Sequence, residues 1–175
     1  MIQDSLFSIP IWSLPVLNFS KKKKQLDKLV RAFPEKRHGI QPFGTNRQVE
    51  RPGFIQAFSN IVGEELGMLS KKLKKDIQIE DIWSVSYKKG EYHTPHNHGA
   101  TGLAGILYLD YDNKKGSPTQ YIQPWNDMLS DRTIYYPFPV GQGMMVVVPK
   151  FVRHFTEPNK SSKIKRVISW DMKIL

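Results

Sequence analysis

Three of the chain's five histidines fall within one octapeptide, Tyr92-His93-Thr94-Pro95-His96-Asn97-His98-Gly99. In extended backbone, residues i and i+2 point to the same side, so His96 and His98 converge on one point while His93 points differently across Pro95. Imidazole nitrogen is a good ligand for iron, copper, nickel or zinc. A close pair needs a further ligand from a distant segment, and His154 is the natural one. It follows the apolar run Gly143 to Val148 through Pro149-Lys150-Phe151-Val152-Arg153, a position where a strand end can bring a side chain back to the site. A solitary histidine is more often a surface residue or one satisfied by the backbone. An H-x-H pair beside one apolar strand, with a further histidine after another, points instead to a bound metal. His38 belongs to a polar turn and is assigned no role.

The chain contains no cysteine. That excludes disulfides, zinc-thiolate sites, cysteine-ligated iron-sulfur clusters and a cysteine nucleophile, so a metal must be held mainly by His, Asp or Glu. Iron, manganese, copper and a His-bound zinc stay open. No Gly-rich phosphate loop, G-x-S-x-G elbow or H-E-x-x-H motif is present. Arg166 is a second chemical signal. In the run Ile164 to Ile174, residues Ile164, Arg166, Ile168, Trp170, Met172 and Ile174 share one face, and Lys165, Val167, Ser169, Asp171 and Lys173 share the other. The first face is the more apolar and is expected to be buried. A guanidinium there needs an anion, either an internal carboxylate in an ion pair or a bound acid met bidentately.

These residues have to be positioned by a chain of 175 residues, which fits one domain, 1–175, with 39% hydrophobic and 24% charged residues, a globular composition. Up to residue 19 the chain reads as an extended apolar segment, with Pro10 and Pro15 among Ile9, Ile11, Trp12 and Val16. Ser20 can cap a helix from about residue 21 to Phe33, and Leu26, Leu29, Val30 and Phe33 form its inward face. Residues 34 to 53 are turn-rich. A longer helix follows, because Phe54, Phe58, Ile61, Val62, Leu66, Leu69 and Leu73 recur at helical spacing. Beyond Ile79 the pattern changes to strands: Ile82 to Tyr87, Gly102 to Tyr111, a short one at 119 to 123, Gly143 to Val148, and Ile164 to Ile174. Helices first and strands later favour an α+β fold with a largely antiparallel sheet or barrel.

Residues 112 to 142 are too long for an ordinary hairpin and carry Tyr121, Trp125, Tyr135, Tyr136 and Phe138, so they form either a substrate-selecting lid or an excursion packed by its own aromatics. The formal charge of +10 sits largely in Lys21 to Lys24 and Lys71 to Lys75. Such runs are usually solvated helix faces, and the sharper reading, attraction to nucleic acid, lacks interleaved aromatics here. No stretch reaches the length of a membrane span, and the start lacks the basic and apolar regions of a signal peptide, which predicts a cytoplasmic protein.

The chain resembles the iron(II)- and 2-oxoglutarate-dependent oxygenases, specifically a small branch common in marine bacteria and their phages; for a phage protein the compartment would be the host cytoplasm. The resemblance rests on Leu6-Phe7-Ser8-Ile9-Pro10, Trp83-Ser84-Val85-Ser86-Tyr87-Lys88-Lys89-Gly90, Pro95-His96-Asn97-His98, Gly105-Ile106-Leu107-Tyr108-Leu109, Pro149 with His154, and Arg166-Val167-Ile168-Ser169. It implies a double-stranded β-helix, a jelly-roll or cupin-like barrel, with the N-terminal helices packed on one sheet and iron at the open end. By position, His96 and His154 match the two ligand histidines, and Arg166 matches the basic residue that holds the far carboxylate of 2-oxoglutarate. Tyr108 either adds a hydroxyl to that carboxylate or is a packed strand aromatic. His98 stands where better-known members carry a carboxylate, usually Asp. It is then a third ligand in an all-histidine set, or the iron has two protein ligands, or Asp110 or Asp112 arrives from elsewhere; the spacing favours His98.

The implied cofactors are Fe(II) and 2-oxoglutarate, and the implied partners are dioxygen and an unidentified substrate. The reaction would oxidise the keto acid to succinate and carbon dioxide while hydroxylating that substrate. Two other readings stand beside it: a cupin-like three-histidine enzyme that ignores 2-oxoglutarate, and a basic module binding nucleic acid through its lysine runs.

Overall fold

Apolar residues at helical spacing give two helices near the start of the chain, and the β-branched and aromatic runs after Asp76 give most of the strands. In the computed structural model, which describes residues 8–37 and 42–175, the order is β1 (Trp12–Pro15), α1 (Phe19–Ala32), β2 (Lys36–Arg37), β3 (Gly44–Thr45), α2 (Phe54–Leu73), β4 (Ile77–Tyr87), β5 (His93–His96), β6 (Leu103–Asp110), β7 (Thr119–Ile122), β8 (Tyr135–Pro137), β9 (Met144–Pro149), β10 (His154–Thr156) and β11 (Lys165–Ile174). His38, Leu6 and Phe7 lie outside the described residues.

Seven strands pair in the order β1-β9-β6-β11-β4-β3-β2, and four pair as β5-β10-β7-β8. The paired neighbours run antiparallel, so neighbouring strands place alternate side chains on opposite faces of each sheet. The larger sheet is covered on both faces. On one, Ile168, Trp170 and Met172 of β11 join Leu107 and Leu109 of β6 beneath Leu26 and Val30 of α1 and Phe54, Phe58 and Val62 of α2. On the other, Val167 joins Val85, Tyr87, Ile106, Tyr108, Val146 and Val148, together with Tyr121 of the smaller sheet. The two sheets thus face each other as a double-stranded β-helix, with both helices on the outside of the larger one. Trp170 is fully buried against Phe58, ring centroids 5.1 Å apart. It opposes Gly105 in register, and a Cβ on that glycine would come within 2.1 Å of the indole. Only a glycine fits there.

Several boundaries differ from the sequence reading. The first helix starts at Phe19 after Asn18, which takes a left-handed conformation (φ 52°), and no side chain caps it, so Ser20 lies inside the helix. The fourth strand begins at Ile77 rather than Ile82, and the short strands β2, β3, β5, β8 and β10 carry too few residues to show a period. The first lysine run is partly consumed by structure. Lys22 donates to both carboxylate oxygens of the buried Glu65 at 2.8 and 2.9 Å, and Lys23 pairs with Asp27 and with Asp110 of β6. Among the described residues, no helix is long and apolar enough to cross a membrane.

Candidate metal and cofactor site

The histidines meet because β5 and β10 pair in the smaller sheet and His98 follows just after β5. His154 opens β10, opposite His96 at the end of β5 on one side and Tyr121 of β7 on the other. His98, two residues beyond β5, is held where its N–H donates to the Lys150 carbonyl at 3.0 Å. One ligand nitrogen from each of His96, His98 and His154 lies within 4.8 Å of the others. The rings are orientated by their Nδ1 atoms. His96 Nδ1 is 2.8 Å from the Thr94 carbonyl, His154 Nδ1 is 3.0 Å from the Val152 carbonyl, and His98 Nδ1 is 2.5 Å from Oδ1 of Asp171. Carbonyl and carboxylate oxygens only accept, so in the neutral rings each Nδ1 carries the hydrogen and each Nε2 keeps its lone pair. Burial, aided by the neighbouring imidazoles, lowers His154 to about 3, and burial also pulls His96 below its ordinary value. Neutral imidazole is the metal-binding form.

His93 departs from the expectation that it points elsewhere. It lines the same cavity, stacks on His96 with centroids 4.1 Å apart, and leans on Phe43 at 4.2 Å. The cause is a shift in the pairing of β5 with β10 between His154 and Thr156, an irregularity that breaks simple alternation across Pro95. Its Nδ1 lies 3.3 Å from the Tyr87 hydroxyl, and burial lowers its pKa to about 3.

The cavity under the histidines has a volume of about 140 Å³, smaller than the pockets that hold drug-sized ligands, which suits a small organic acid. Its wall includes Lys165, Val167 and Ser169 of β11, with Thr119, Thr156 and Tyr87. This is the face of β11 that the sequence reading left out. Lys165 is buried, donates to the Ser117 carbonyl at 2.8 Å, and lies over the rings of Tyr87 and Tyr108 at 5.2 and 5.5 Å. No carboxylate of the described residues is within ion-pair distance of it. Burial lowers its pKa to about 7.

Arg166 points the other way. Its guanidinium pairs with Glu35 at 3.1 Å and Asp110 at 3.0 Å on the helix side of the sheet, and it is absent from the cavity wall. The apolar face of β11 is buried, as its composition demands, but beneath the helices rather than inside the barrel. Tyr108 is fully buried with its hydroxyl engaged: it donates to Thr119 Oγ1 at 2.9 Å and accepts from the Thr119 N–H at 3.2 Å. Asp110 is taken by Arg166 and Lys23, and Asp112 accepts from the Ser161 hydroxyl at 2.7 Å, so neither joins the histidines. Trp125 and Tyr136 of the 112–142 excursion line a second, largely apolar cavity of about 370 Å³ with Ile9, Ile11, Tyr121 and Val152.

Comparison with known proteins places this architecture. The fold is similar to that of an oxidoreductase of the 2OG-Fe(II) oxygenase family from Burkholderia pseudomallei, at TM-score 0.70 and 11% identity over 93% of this chain and 84% of that one. HygX from Streptomyces hygroscopicus, solved with nickel, 2-oxoglutarate and hygromycin B, gives TM-score 0.70 at 8% identity over 94% and 83%. A Pseudomonas putida prolyl-4-hydroxylase gives TM-score 0.61 at 14% identity over 95% and 94%. No curated protein matches. At these identities the structures establish the fold, the double-stranded β-helix shared by 2-oxoglutarate oxygenases. Residues 81–171, more than half of the sequence, match the family described as "Putative 2OG-Fe(II) oxygenase", and the chain belongs to that family.

Proposed function

We propose that His96, His98 and His154 hold Fe(II) through Nε2, and that Lys165 receives the far carboxylate of 2-oxoglutarate. The observation that carries this reading is the pairing, in one small cavity, of three imidazoles tied at Nδ1 with a buried lysine that has no carboxylate partner among the described residues. The donor set fits an iron(II) centre, since imidazole suits iron and each Nδ1–H is already satisfied. When bound, iron and 2-oxoglutarate supply dioxygen activation, with the keto acid oxidised to succinate and carbon dioxide and a substrate carbon hydroxylated.

The protein's own contributions follow from its contacts. Lys165 presents a charge that burial has already stripped of water, so a carboxylate reaching it forms a charge-assisted bond without desolvating the lysine further. Thr119 accepts from Tyr108, which leaves its own hydroxyl hydrogen free for an anion in the cavity, so Tyr108 acts through Thr119. Thr156 and Ser169 add hydroxyls to the same wall. Substrate selection is assigned to residues 112–142, whose Trp125 and Tyr136 border the larger apolar cavity. A cupin-like enzyme indifferent to 2-oxoglutarate would have no use for an unneutralised ammonium beside its metal ligands. Succinate formation from 2-oxoglutarate in air, with Fe(II) and without substrate, tests the reading. Turnover in the wild type that is lost in His154→Ala and in Lys165→Ala supports it, and turnover that survives both substitutions contradicts it.

A further inference from the structure

The three imidazoles differ in what holds them. His96 and His154 donate to the backbone carbonyls of Thr94 and Val152, which are neutral, whereas His98 donates to a carboxylate. Asp171 lies on the cavity-facing side of β11, in line with Val167 and Ser169, and is 7% exposed. Its Oδ1 is 2.5 Å from His98 Nδ1, and its Oδ2 faces Arg47 at a looser 3.8 Å. Arg47 is half-exposed and shared with Asp81, so it neutralises Asp171 weakly. The ring of His98 is also fixed from its face. Trp83 stacks on it at 5.5 Å, and the guanidinium of Arg47 lies 4.0 Å from the Trp83 ring. His98 is therefore pinned at its edge by a charge and at its face by an indole.

We propose that Asp171 is a positioning residue that makes His98 a metal ligand and supplies, one hydrogen bond behind the metal, the negative charge that a directly bound carboxylate would otherwise bring. The inference rests on the three-histidine reading of the site and extends it. Three neutral ligands alone leave the two positive charges of Fe(II) uncompensated inside the barrel. A carboxylate on Nδ1–H raises the basicity of the opposite nitrogen and fixes its tautomer, and loss of such a partner typically weakens metal binding by about 10–100-fold. The charge would thus sit one shell further out and reach the metal through an imidazole.

The test is a two-by-two set of variants read by anaerobic Fe(II) affinity, from competition with a chelator, and by the visible spectrum of the Co(II) form; neither readout uses turnover. Asp171→Asn in the wild-type background is expected to weaken Fe(II) about 10–100-fold and to change the Co(II) spectrum. In a His98→Asp background, where the metal receives a carboxylate directly, Asp171→Asn is expected to cause no loss. Equal losses in both backgrounds would mean that Asp171 merely supports the fold, and no loss in either would mean that it does not act on the metal; both overturn the proposal. A second measurement needs no variant. Nitrogen-15 spectra of histidine-labelled protein loaded with Zn(II) should show His98 with hydrogen on Nδ1 and Nε2 bound to metal, and the reverse tautomer contradicts the proposal. Metal binding without response to Asp171 sinks this inference alone, whereas failure of the wild type to bind metal sinks the three-histidine reading beneath it.

Discussion

The two faces of β11 are made by alternate residues of one ten-residue strand, yet they do unrelated work. One carries Ile168, Trp170 and Met172 into a dry core under α1 and α2. The other carries Lys165, Val167 and Ser169 along the cavity beside the histidines, and Asp171 behind His98. Hydrophobicity ranks the first face as the interior, and it is buried. In a two-layer barrel with helices on one layer, however, a strand has two interiors, and chemistry belongs in the one that tolerates polar groups. A buried ammonium and a buried carboxylate on the second face are expensive as structure. That expense is what makes them informative.

Substitutions on each face should separate stability from cofactor binding. The largest effect belongs to the helix face: Trp170→Ala should remove about 3–5 kcal/mol of stability by denaturant unfolding, with Fe(II) affinity of the folded protein unchanged. Loss of metal binding in a still-folded variant would show the faces to be coupled. On the cavity face, Lys165→Ala should weaken 2-oxoglutarate binding by about 2–5 kcal/mol, with no fall in the stability of the ligand-free protein. Isothermal titration and thermal unfolding check the two halves, and a loss of stability matching the loss of affinity would break the distinction.

The pH dependence follows from the same lysine. Burial lowers Lys165 to about 7 from 10.5, so in the ligand-free protein the ammonium is present below pH 7 and lost above it. Binding a dicarboxylate restores the ammonium and, above pH 7, takes up a proton. Affinity for 2-oxoglutarate should therefore fall as pH rises, by about tenfold per unit. Lys165→Arg should flatten this profile, because a guanidinium stays charged, and an unchanged slope would remove Lys165 from the binding site. Across the same window the unfolded chain holds the extra proton, so this residue makes ligand-free stability rise with pH. The smallest effect is expected from Arg166→Ala. Loss of its pairs with Glu35, whose side chain is buried, and the partly exposed Asp110 should cost about 1–3 kcal/mol of stability and leave 2-oxoglutarate affinity unaltered.

How much of this was legible in the sequence depends on the length of the pattern. The second helix, with seven apolar residues at helical spacing, and the last strand read correctly because many residues vote on one period, whereas the start of β4 was missed by five residues. Strands of two to four residues, β5 and β10 among them, give no period, and these carry His96 and His154. The histidine cluster was nevertheless legible, because residue type and clustering bring His96, His98 and His154 forward as a candidate metal site without knowledge of the strand. Lys165 was passed over for its neighbour. The alternation was read correctly, but nothing within β11 says which face lies under helices, since that depends on where α1 and α2 pack. One signal for Lys165 does lie in the composition of the strand: Lys165, Ser169 and Asp171 share the polar face of a strand whose other face is fully apolar from Ile168 to Met172. A core strand with polar residues on its second face is turned toward a site or toward solvent, and a strand in the middle of a seven-stranded sheet has little solvent to meet. Asp171 behind His98 was invisible, because its partner is far away in sequence.

The central claim is that the cofactor's carboxylate meets Lys165 and not Arg166. The most direct measurement is anaerobic titration of the metal-free protein with Fe(II) and 2-oxoglutarate, following the weak visible charge-transfer band of the chelated keto acid in wild type, Lys165→Ala and Arg166→Ala. The band should form in the wild type and in Arg166→Ala, and fail at the same 2-oxoglutarate concentration in Lys165→Ala; a band lost with Arg166 and kept without Lys165 would contradict the account.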